Sequence, residues 1–204
     1  MEFISTREEL RARYGEASSR ARLKELQKLD GHCRGFLAKS PFVLIGSQDS
    51  SGRGDVTPKG DRPGFTIALD DHTLAIPDRP GNNRLDTWEN LIENPSVGLL
   101  FLIPGMDETL RVEGIGRLTF DDSLRARCAA EGKLPTAVLV VEVRSAFMHC
   151  AKAFMRSELW KPETWPDRAK LPTLGQILKD QIGFEQSAAE TDQQLVEIYR
   201  QSMW

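Results

Sequence analysis

Two arginines and two asparagines crowd the stretch between a short apolar run at residues 74–76 and a following helical pattern: Arg79, Asn82, Asn83 and Arg84. Asn82 or Asn83 is a suitable helix N-cap. The free backbone N–H groups and the dipole of a helix N-terminus already favour an anion, and arginine adds positive charge. The sequence therefore predicts a phosphate site here, although capping and solvation alone would also account for these residue types.

The helix that would position these side chains has an apolar stripe. Leu85, Trp88, Leu91 and Ile92 recur at the helical period, and the pair Asn94 and Pro95 ends the pattern. Apolar strand-like runs lie on either side of it, at residues 74–76 and 97–103. The stretch is thus predicted to form a strand, a phosphate-binding turn, a helix and a second strand.

The remaining chain is rich in short strands. Residues 41–47 and 55–64 are predicted to form a first hairpin, although proline and glycine make the second of these too broken for a regular central strand. A second hairpin covers residues 65–76, and long β-prone runs occupy residues 109–120 and 136–143, with a bend at Gly114 or Gly116. Six or so short strands with helical inserts predict a closed antiparallel barrel.

Helical patterns surround this barrel at both ends of the chain. They are predicted at residues 6–29 with a break at Gly15, and at 32–39, 121–131, 146–160, 174–183 and 191–203. The sequence therefore predicts an N-terminal helical extension (1–40), a barrel (41–148) and C-terminal helices packed on the barrel (149–204), as one domain.

Composition limits the classes of function. The chain has 204 residues and a formal net charge of −3, with acidic and basic residues mixed along it, which does not indicate a nucleic-acid or membrane partner. Three cysteines without close pairing favour a reducing compartment, and no stretch is long and apolar enough for a signal peptide or a membrane span. We expect a soluble cytoplasmic protein.

Other motifs give little support for alternative chemistry. The chain has no nucleotide-binding glycine pattern, no marked catalytic triad, and no cysteine spacing typical of zinc, so no metal site is predicted. The pairs His32–Cys33 and His149–Cys150 consist of adjacent residues, whose side chains point in different directions. The sequence names no catalytic acid or base.

The order of these pieces resembles the pyridoxamine 5'-phosphate oxidase-like FMN-binding split-barrel family. The segment at residues 57–60, the Asn-Asn-Arg sequence at 82–84 before a helix ending in Asn-Pro, and Leu-Arg-Val-Glu-Gly at 110–114 carry the resemblance. Within the family, the string from His149 to Trp160 and the Asp-Arg-Pro-Gly-Asn-Asn-Arg segment are similar to an uncharacterised subgroup. The resemblance implies a mainly β fold with helical additions, a split β-barrel of the antiparallel Greek-key type.

The same resemblance implies FMN as cofactor, in a homodimer with the flavin at the subunit interface. Lys59 and Arg84 would neutralise the FMN phosphate, Lys59 or Arg111 would place a cation near the flavin, and Lys152 and Arg156 would close the site from the partner chain. The full implied set of cofactor-binding residues is Thr57, Pro58, Lys59, Gly60, Asn82, Asn83, Arg84, Thr109, Arg111, Lys152 and Arg156.

The implied activity is that of a flavin-dependent oxidoreductase of the pyridoxamine phosphate oxidase-related class, with an unknown small-molecule substrate. Pyridoxamine phosphate oxidases hold their substrate with a C-terminal Arg-x-His motif that this chain lacks, so vitamin B6 oxidation is not expected. The alternative is a non-catalytic flavin or haem carrier or sensor on the same barrel, with His32, His72 or His149 as a haem ligand.

Overall fold

A single antiparallel sheet of seven strands forms the centre of the protein. The structure, a computed structural model, describes residues 1–203. The strands run in the spatial order β2-β1-β5-β6-β7-β4-β3. Their bounds are β1 Phe42–Gln48, β2 Gly54–Gly60, β3 Ile67–Ala68, β4 Thr73–Pro77, β5 Ser96–Leu102, β6 Thr109–Thr119 and β7 Val138–His149.

The core fills the inside of this sheet. Alternate residues of β1, such as Val43 and Ile45, are buried, and they meet Phe101 of β5, Leu110 of β6 and Leu139 of β7. Because side chains alternate between the two faces of a strand, one face of each strand lines a common core. The prediction of a split β-barrel with helical additions is confirmed. The sheet does not form a closed ring as expected from the strand pattern, because β2 and β3 lie at its two edges.

The bend predicted near the middle of β6 is confirmed at Gly114. The register between β6 and β7 shifts at Glu113 and Gly114, which is the signature of a β-bulge. A Cβ atom at Gly114 would lie 2.3 Å from the Glu142 carbonyl oxygen. Glycine therefore permits the close approach of the two long strands at this point.

The first hairpin also follows the prediction. β1 pairs with β2 over seven residues, and β2 has only this one neighbour in the sheet. Pro58 lies within β2, which is tolerated because an edge strand has one side free of ladder hydrogen bonds.

Eight α-helices accompany the sheet in residues 1–203. They are α1 Arg7–Tyr14, α2 Ser19–Leu23, α3 Gly31–Leu37, α4 Asp86–Glu93, α5 Asp122–Arg127, α6 Lys152–Ser157, α7 Leu174–Ile182 and α8 Ala188–Ser202. Helix α3 places Cys33, Phe36 and Leu37 in the core, and α4 adds Trp88 and Leu91. Helix α4 packs against β1, β2 and β6, whereas α3 packs against β3 and β7.

Two helix predictions were wrong in extent. Residues 24–29 are not helical, because Leu26 pairs with Ala146 as an isolated β-bridge. The helix predicted from Ala146 begins only at Lys152, because β7 continues to His149 through its pairing with β6. In both places a pairing with a distant strand prevails over the local helical pattern.

The two ends of the chain do not contribute to the core. All residues of the core clusters lie between Leu29 and Met148. We call residues 7–24 the N-terminal arm and residues 174–203, which hold α7 and α8, the C-terminal hairpin. No helix within residues 1–203 has the length and apolar character to cross a membrane. The division into extension, barrel and C-terminal helices stays a prediction.

Candidate functional site

A polar cleft lies between the edge strand β2, the loop that follows β4, and the start of α4. Its volume is about 570 Å³, within the range of small-molecule sites. Its walls combine backbone and side chains of three chain segments: Asp55, Thr57, Lys59, Asp78, Arg79, Pro80, Gly81, Asn82, Asn83, Arg84, Leu85, Asp86, Thr87, Trp88 and Thr136.

Lys59 is held on the wall of the cleft by two contacts. Its Nζ atom donates a hydrogen bond to Asp78 Oδ1 at 2.8 Å and lies 4.5 Å from the centroid of the Trp88 ring. The side chains of Lys59 and Asp78 are 20% and 14% exposed, so this ion pair is largely shielded from water. Because only one of the three Nζ protons is used by Asp78, two remain for a ligand.

Arg79 is fixed by a second shielded ion pair. Its Nε atom donates to Asp61 Oδ2 at 2.5 Å, and the Asp61 side chain is only 2% exposed. Asp61 follows β2 and Arg79 follows β4, so the pair connects the two chain segments that form the cleft. The terminal guanidinium nitrogens of Arg79 do not take part in the Asp61 contact. These nitrogens are the donors with which an arginine binds a phosphate.

The loop before α4 turns sharply by means of left-handed residues. Asn83 and Leu85 have φ angles of 57° and 61°. The Asn82 side-chain oxygen accepts the Arg84 backbone N–H at 3.1 Å, which makes Asn82 part of a turn and not a helix cap. Leu85 is the N-cap residue, so the prediction of Asn82 or Asn83 at this position was wrong.

The N-terminus of α4 consequently has no side-chain cap. The first turn of α4, with Asp86 and Thr87, lines the cleft, and backbone N–H groups at the start of a helix can donate to an anion. Arg84 lies beside them and forms hydrogen bonds from Nε and Nη2 to Asp86, at 2.7 and 3.3 Å. These hydrogen bonds lower the pKa of Asp86 and raise that of Arg84, so both groups are charged at neutral pH.

Acidic residues balance the cations of the cleft. Asp55 accepts a hydrogen bond from the Thr87 hydroxyl at 2.6 Å, which ties the edge strand to the first turn of α4. Lys59, Arg79 and Arg84 each contact a carboxylate. These carboxylates therefore hold the side chains of the three cations in fixed conformations. Lys59 and Arg79 also keep N–H donors that the carboxylates do not use.

The structure brings together five of the predicted site residues, Thr57, Lys59, Asn82, Asn83 and Arg84, all of which line the cleft. Pro58 and Gly60 lie on β2 between or beside them but do not line it. The structure thus agrees with the prediction in the position of the five lining residues.

The other four predicted residues lie elsewhere in the chain. Thr109 is buried in β6, and its hydroxyl has no hydrogen-bond partner among the described residues. Arg111 forms an ion pair with Glu113, and its guanidinium carbon lies 5.7 Å from the centroid of the Phe147 ring. Lys152 and Arg156 lie on α6 and are exposed. None of the four lines this cleft.

Sequence reasoning missed the acidic and aromatic partners of the cations. Asp78 and Asp61 orient Lys59 and Arg79, and Trp88, assigned to the apolar stripe of the helix, also presents its ring to Lys59. A signal was available for Asp78, because it directly follows the last residue of a buried strand. For Asp61 there was none, since its partner is distant in sequence.

The fold is a split barrel, and its polar cleft combines three cations, each paired with a carboxylate, with hydrogen-bonding side chains. A protein-family model described as pyridoxamine 5'-phosphate oxidase matches residues 29–150 of this chain. The chain therefore belongs to the pyridoxamine 5'-phosphate oxidase family.

Several solved structures are similar to the chain at low sequence identity. An FMN-binding protein from Syntrophomonas wolfei is 15% identical with a TM-score of 0.42, over 70% of this chain and 96% of that one. HupZ from Group A Streptococcus is 15% identical with a TM-score of 0.47, over 58% and 92%. A Clostridium acetobutylicum protein related to general stress protein 26 is 13% identical with a TM-score of 0.45, over 58% and 85%. A search of curated proteins found no significant match.

Proposed function

We propose that this protein binds FMN in the cleft between β2 and α4 and acts as a flavin-dependent oxidoreductase on a small-molecule substrate. Membership of the pyridoxamine 5'-phosphate oxidase family supports a flavin-binding, oxidoreductase-like class. The observation that carries the proposal is the convergence of Lys59, Arg79 and the uncapped N-terminus of α4 on one cleft. These are the donors that a phosphate monoester needs.

The residues present fit the phosphate end of FMN. Lys59 Nζ and the terminal nitrogens of Arg79 supply charged donors, and Asn83 and Thr57 supply neutral ones. Their ion pairs with Asp78 and Asp61 hold the two cations in place before the ligand arrives. Less side-chain entropy is then lost on binding, which favours affinity.

The redox chemistry would be supplied by the flavin when it is bound, and the protein would contribute position and charge. Trp88 packs beneath Lys59 and closes the inner wall, so water is excluded from one side of that cation. Asp78 fixes the direction of the Lys59 ammonium group. No side chain of the cleft is assigned as a catalytic acid or base.

We further propose a cytoplasmic homodimer in which the partner chain completes the flavin site. Lys152 and Arg156 are exposed on α6, four residues apart and on one helical face, where they are available to a neighbouring chain. Arg111 is likewise exposed. Thr109 is buried, so a role for it requires contact through the backbone or a local movement of β6.

A comparison of FMN with riboflavin tests the site, because the two ligands differ only in the phosphate. The wild-type protein should bind FMN about a hundredfold more tightly than riboflavin, as expected for charge-assisted hydrogen bonds. Lys59→Ala combined with Arg79→Ala should remove most of this preference and leave riboflavin affinity nearly unchanged. Isothermal titration of both ligands against both proteins measures the four affinities.

The matched control is Lys39→Ala combined with Arg117→Ala, which removes two exposed cations outside the cleft. It should keep the wild-type preference for FMN. Equal affinity of the wild-type protein for FMN and riboflavin would contradict the phosphate assignment. Reduction by NAD(P)H and reoxidation over many cycles would separate an enzyme from a carrier that binds flavin without turnover.

A further inference from the structure

The surface area of the chain is too large for a compact monomer. The described chain exposes 13885 Å², whereas a folded monomer of 22.9 kDa is expected to expose about 9,600 Å². The excess is about 4,300 Å² by the same scaling. A permanent homodimer buries on the order of 2,000 to 5,000 Å² in total, so the excess is large enough for such an interface.

Much of this excess lies on the N-terminal arm and the C-terminal hairpin. Helices α1 and α2 have no buried residue, although the arm carries Leu10, Tyr14 and Leu23. The hairpin buries only Gly175 of α7 and Thr191 of α8. Its exposed large apolar residues are Leu174, Ile182, Phe184, Val196, Ile198, Tyr199 and Met203.

The hairpin is nevertheless a defined unit. The backbone N–H of Gly175 donates to Asp192 Oδ1 at 2.8 Å, and a Cβ at Gly175 would lie 2.3 Å from the Ala188 carbonyl oxygen. This close contact between α7 and α8 fixes the angle of the two helices. The exposed apolar side chains are thus presented on a preformed surface, which reduces the entropy lost on docking.

The net charges of the hairpin and the arm have opposite signs, which makes the arm a suitable partner for the hairpin. Residues 174–203 carry two basic and five acidic residues, a net charge of −3, whereas residues 7–24 carry six basic and three acidic residues, a net charge of +3. Apolar side chains are exposed on both. Complementary charge around apolar surface favours specific association of the arm with the hairpin.

The N-terminal arm and the C-terminal part of the chain are both connected to the end of β7. Lys24 Nζ donates to the Met148 carbonyl oxygen, and Leu26 pairs with Ala146, so the arm is attached near the end of β7. The C-terminal part of the chain starts from that same strand end after His149. Residues 150–173 separate this strand end from the hairpin. In a two-fold dimer, each chain can dock its arm on the other chain's hairpin and receive the other arm on its own.

We infer that the protein dimerises by arm exchange, with the N-terminal arm of one chain docked on the C-terminal hairpin of a second copy. The contact does not involve the flavin cleft. Loss of flavin binding would therefore leave the exchange intact, and failure of the exchange would leave the flavin proposal intact.

Charge reversal in two variants tests the exchange. An arm variant carries Arg13→Glu and Arg20→Glu, and a hairpin variant carries Glu185→Lys and Glu197→Lys, all at exposed positions. Each variant alone should dimerise about tenfold or more weakly than the wild type, because like charges now face each other. Sedimentation equilibrium of the full chain measures the dissociation constants.

An equimolar mixture of the two variants should recover the dimer. In a mixed dimer each arm again meets a hairpin of opposite charge, so native mass spectrometry should find mixed dimers well above the statistical share of about one half. Docking of arm and hairpin within one chain predicts no such recovery. A mixture that stays as weak as the separate variants would overturn the inference.

The matched control carries Lys39→Glu and Arg127→Glu, two charge reversals at exposed positions just after α3 and at the end of α5. It should dimerise within about twofold of the wild type. Arm and hairpin variants that dimerise as tightly as this control would contradict the exchange. A wild-type chain that is monomeric at all concentrations would contradict both the exchange and the proposed homodimer.

Discussion

The barrel and the two terminal segments use their apolar residues in opposite ways. Phe101 and Leu110 are completely buried in the barrel, whereas Tyr14 of the N-terminal arm is 76% exposed and Val196 of the C-terminal hairpin 68% exposed. Burial of apolar surface is the main source of folding free energy, so the barrel accounts for the stability of the fold. The terminal segments instead keep apolar surface available for association.

The largest effect is expected in the barrel core. Phe101→Ala should lower the free energy of unfolding by about 3–5 kcal/mol, because it leaves a cavity at a fully buried position. Tyr14→Ala should change it by less than about 0.5 kcal/mol when the chain is monomeric. Urea unfolding at low protein concentration measures both.

A large loss of unfolding free energy for Tyr14→Ala in the monomer would contradict this difference between barrel and arm, since it would mean that the arm is packed on its own barrel. A loss of stability that appears only at higher protein concentration would instead support burial of Tyr14 by a second chain. Mass action predicts that concentration dependence if the arm is buried by a second chain.

A second pair of variants concerns the sheet itself. Gly114→Ala should destabilise the protein by about 2 kcal/mol or more, because its Cβ would lie 2.3 Å from the Glu142 carbonyl oxygen and the strands would have to separate. At Gly98 on β5 no atom lies within 4 Å of the added Cβ, so Gly98→Ala should be neutral within about 0.5 kcal/mol. Thermal and urea unfolding of both proteins give the comparison. Equal costs would show that the bulge is not a close contact.

The smallest effect concerns helix caps in the two regions. Asp30 caps α3, whose residues enter the core, and Thr6 caps α1, which buries no residue. Asp30→Ala should cost about 1 kcal/mol of unfolding free energy. Thr6→Ala should not measurably change the unfolding free energy, although Thr6 caps α1 with the same kind of side-chain hydrogen bond.

The Asp30 cap should also depend on pH. The backbone N–H of Cys33 lowers the pKa of Asp30 from its usual 3.8. Because the folded pKa is the lower one, the stabilisation is complete above pH 3.8 and is lost as the pH falls through the folded pKa. The stability difference between the wild type and Asp30→Ala should therefore shrink in acid. A difference that grows in acid would contradict this role.

Much of the fold could be predicted from local patterns. The strand-length apolar runs, the turn residues around Gly52, and the glycine at the bend of β6 each have a local physical cause, and the structure confirms them. The end of β7 could not be predicted in the same way. Residues 146–149 have a helical pattern, and only their pairing with residues 109–112 makes them a strand.

The candidate site was predictable in part for the same reason. Basic and amide side chains near a predicted helix start indicate an anion site, and all four of them, Arg79, Asn82, Asn83 and Arg84, line the cleft. The left-handed conformation of Leu85 was not predictable, because a bulky residue rarely adopts it and nothing in the sequence marks the exception. The pairing of Asp61 with Arg79 depends on two loops that only the folded sheet brings together.

The central claim is that the cleft holds FMN, and the most direct measurement is identification of any chromophore that the purified protein carries. We predict the visible absorption of an oxidised flavin, and release of FMN on heating, identified by chromatography against FMN, FAD and riboflavin standards. A haem spectrum would contradict the proposal in favour of the haem-binding alternative. A colourless protein that also fails to bind added FMN would contradict flavin binding altogether.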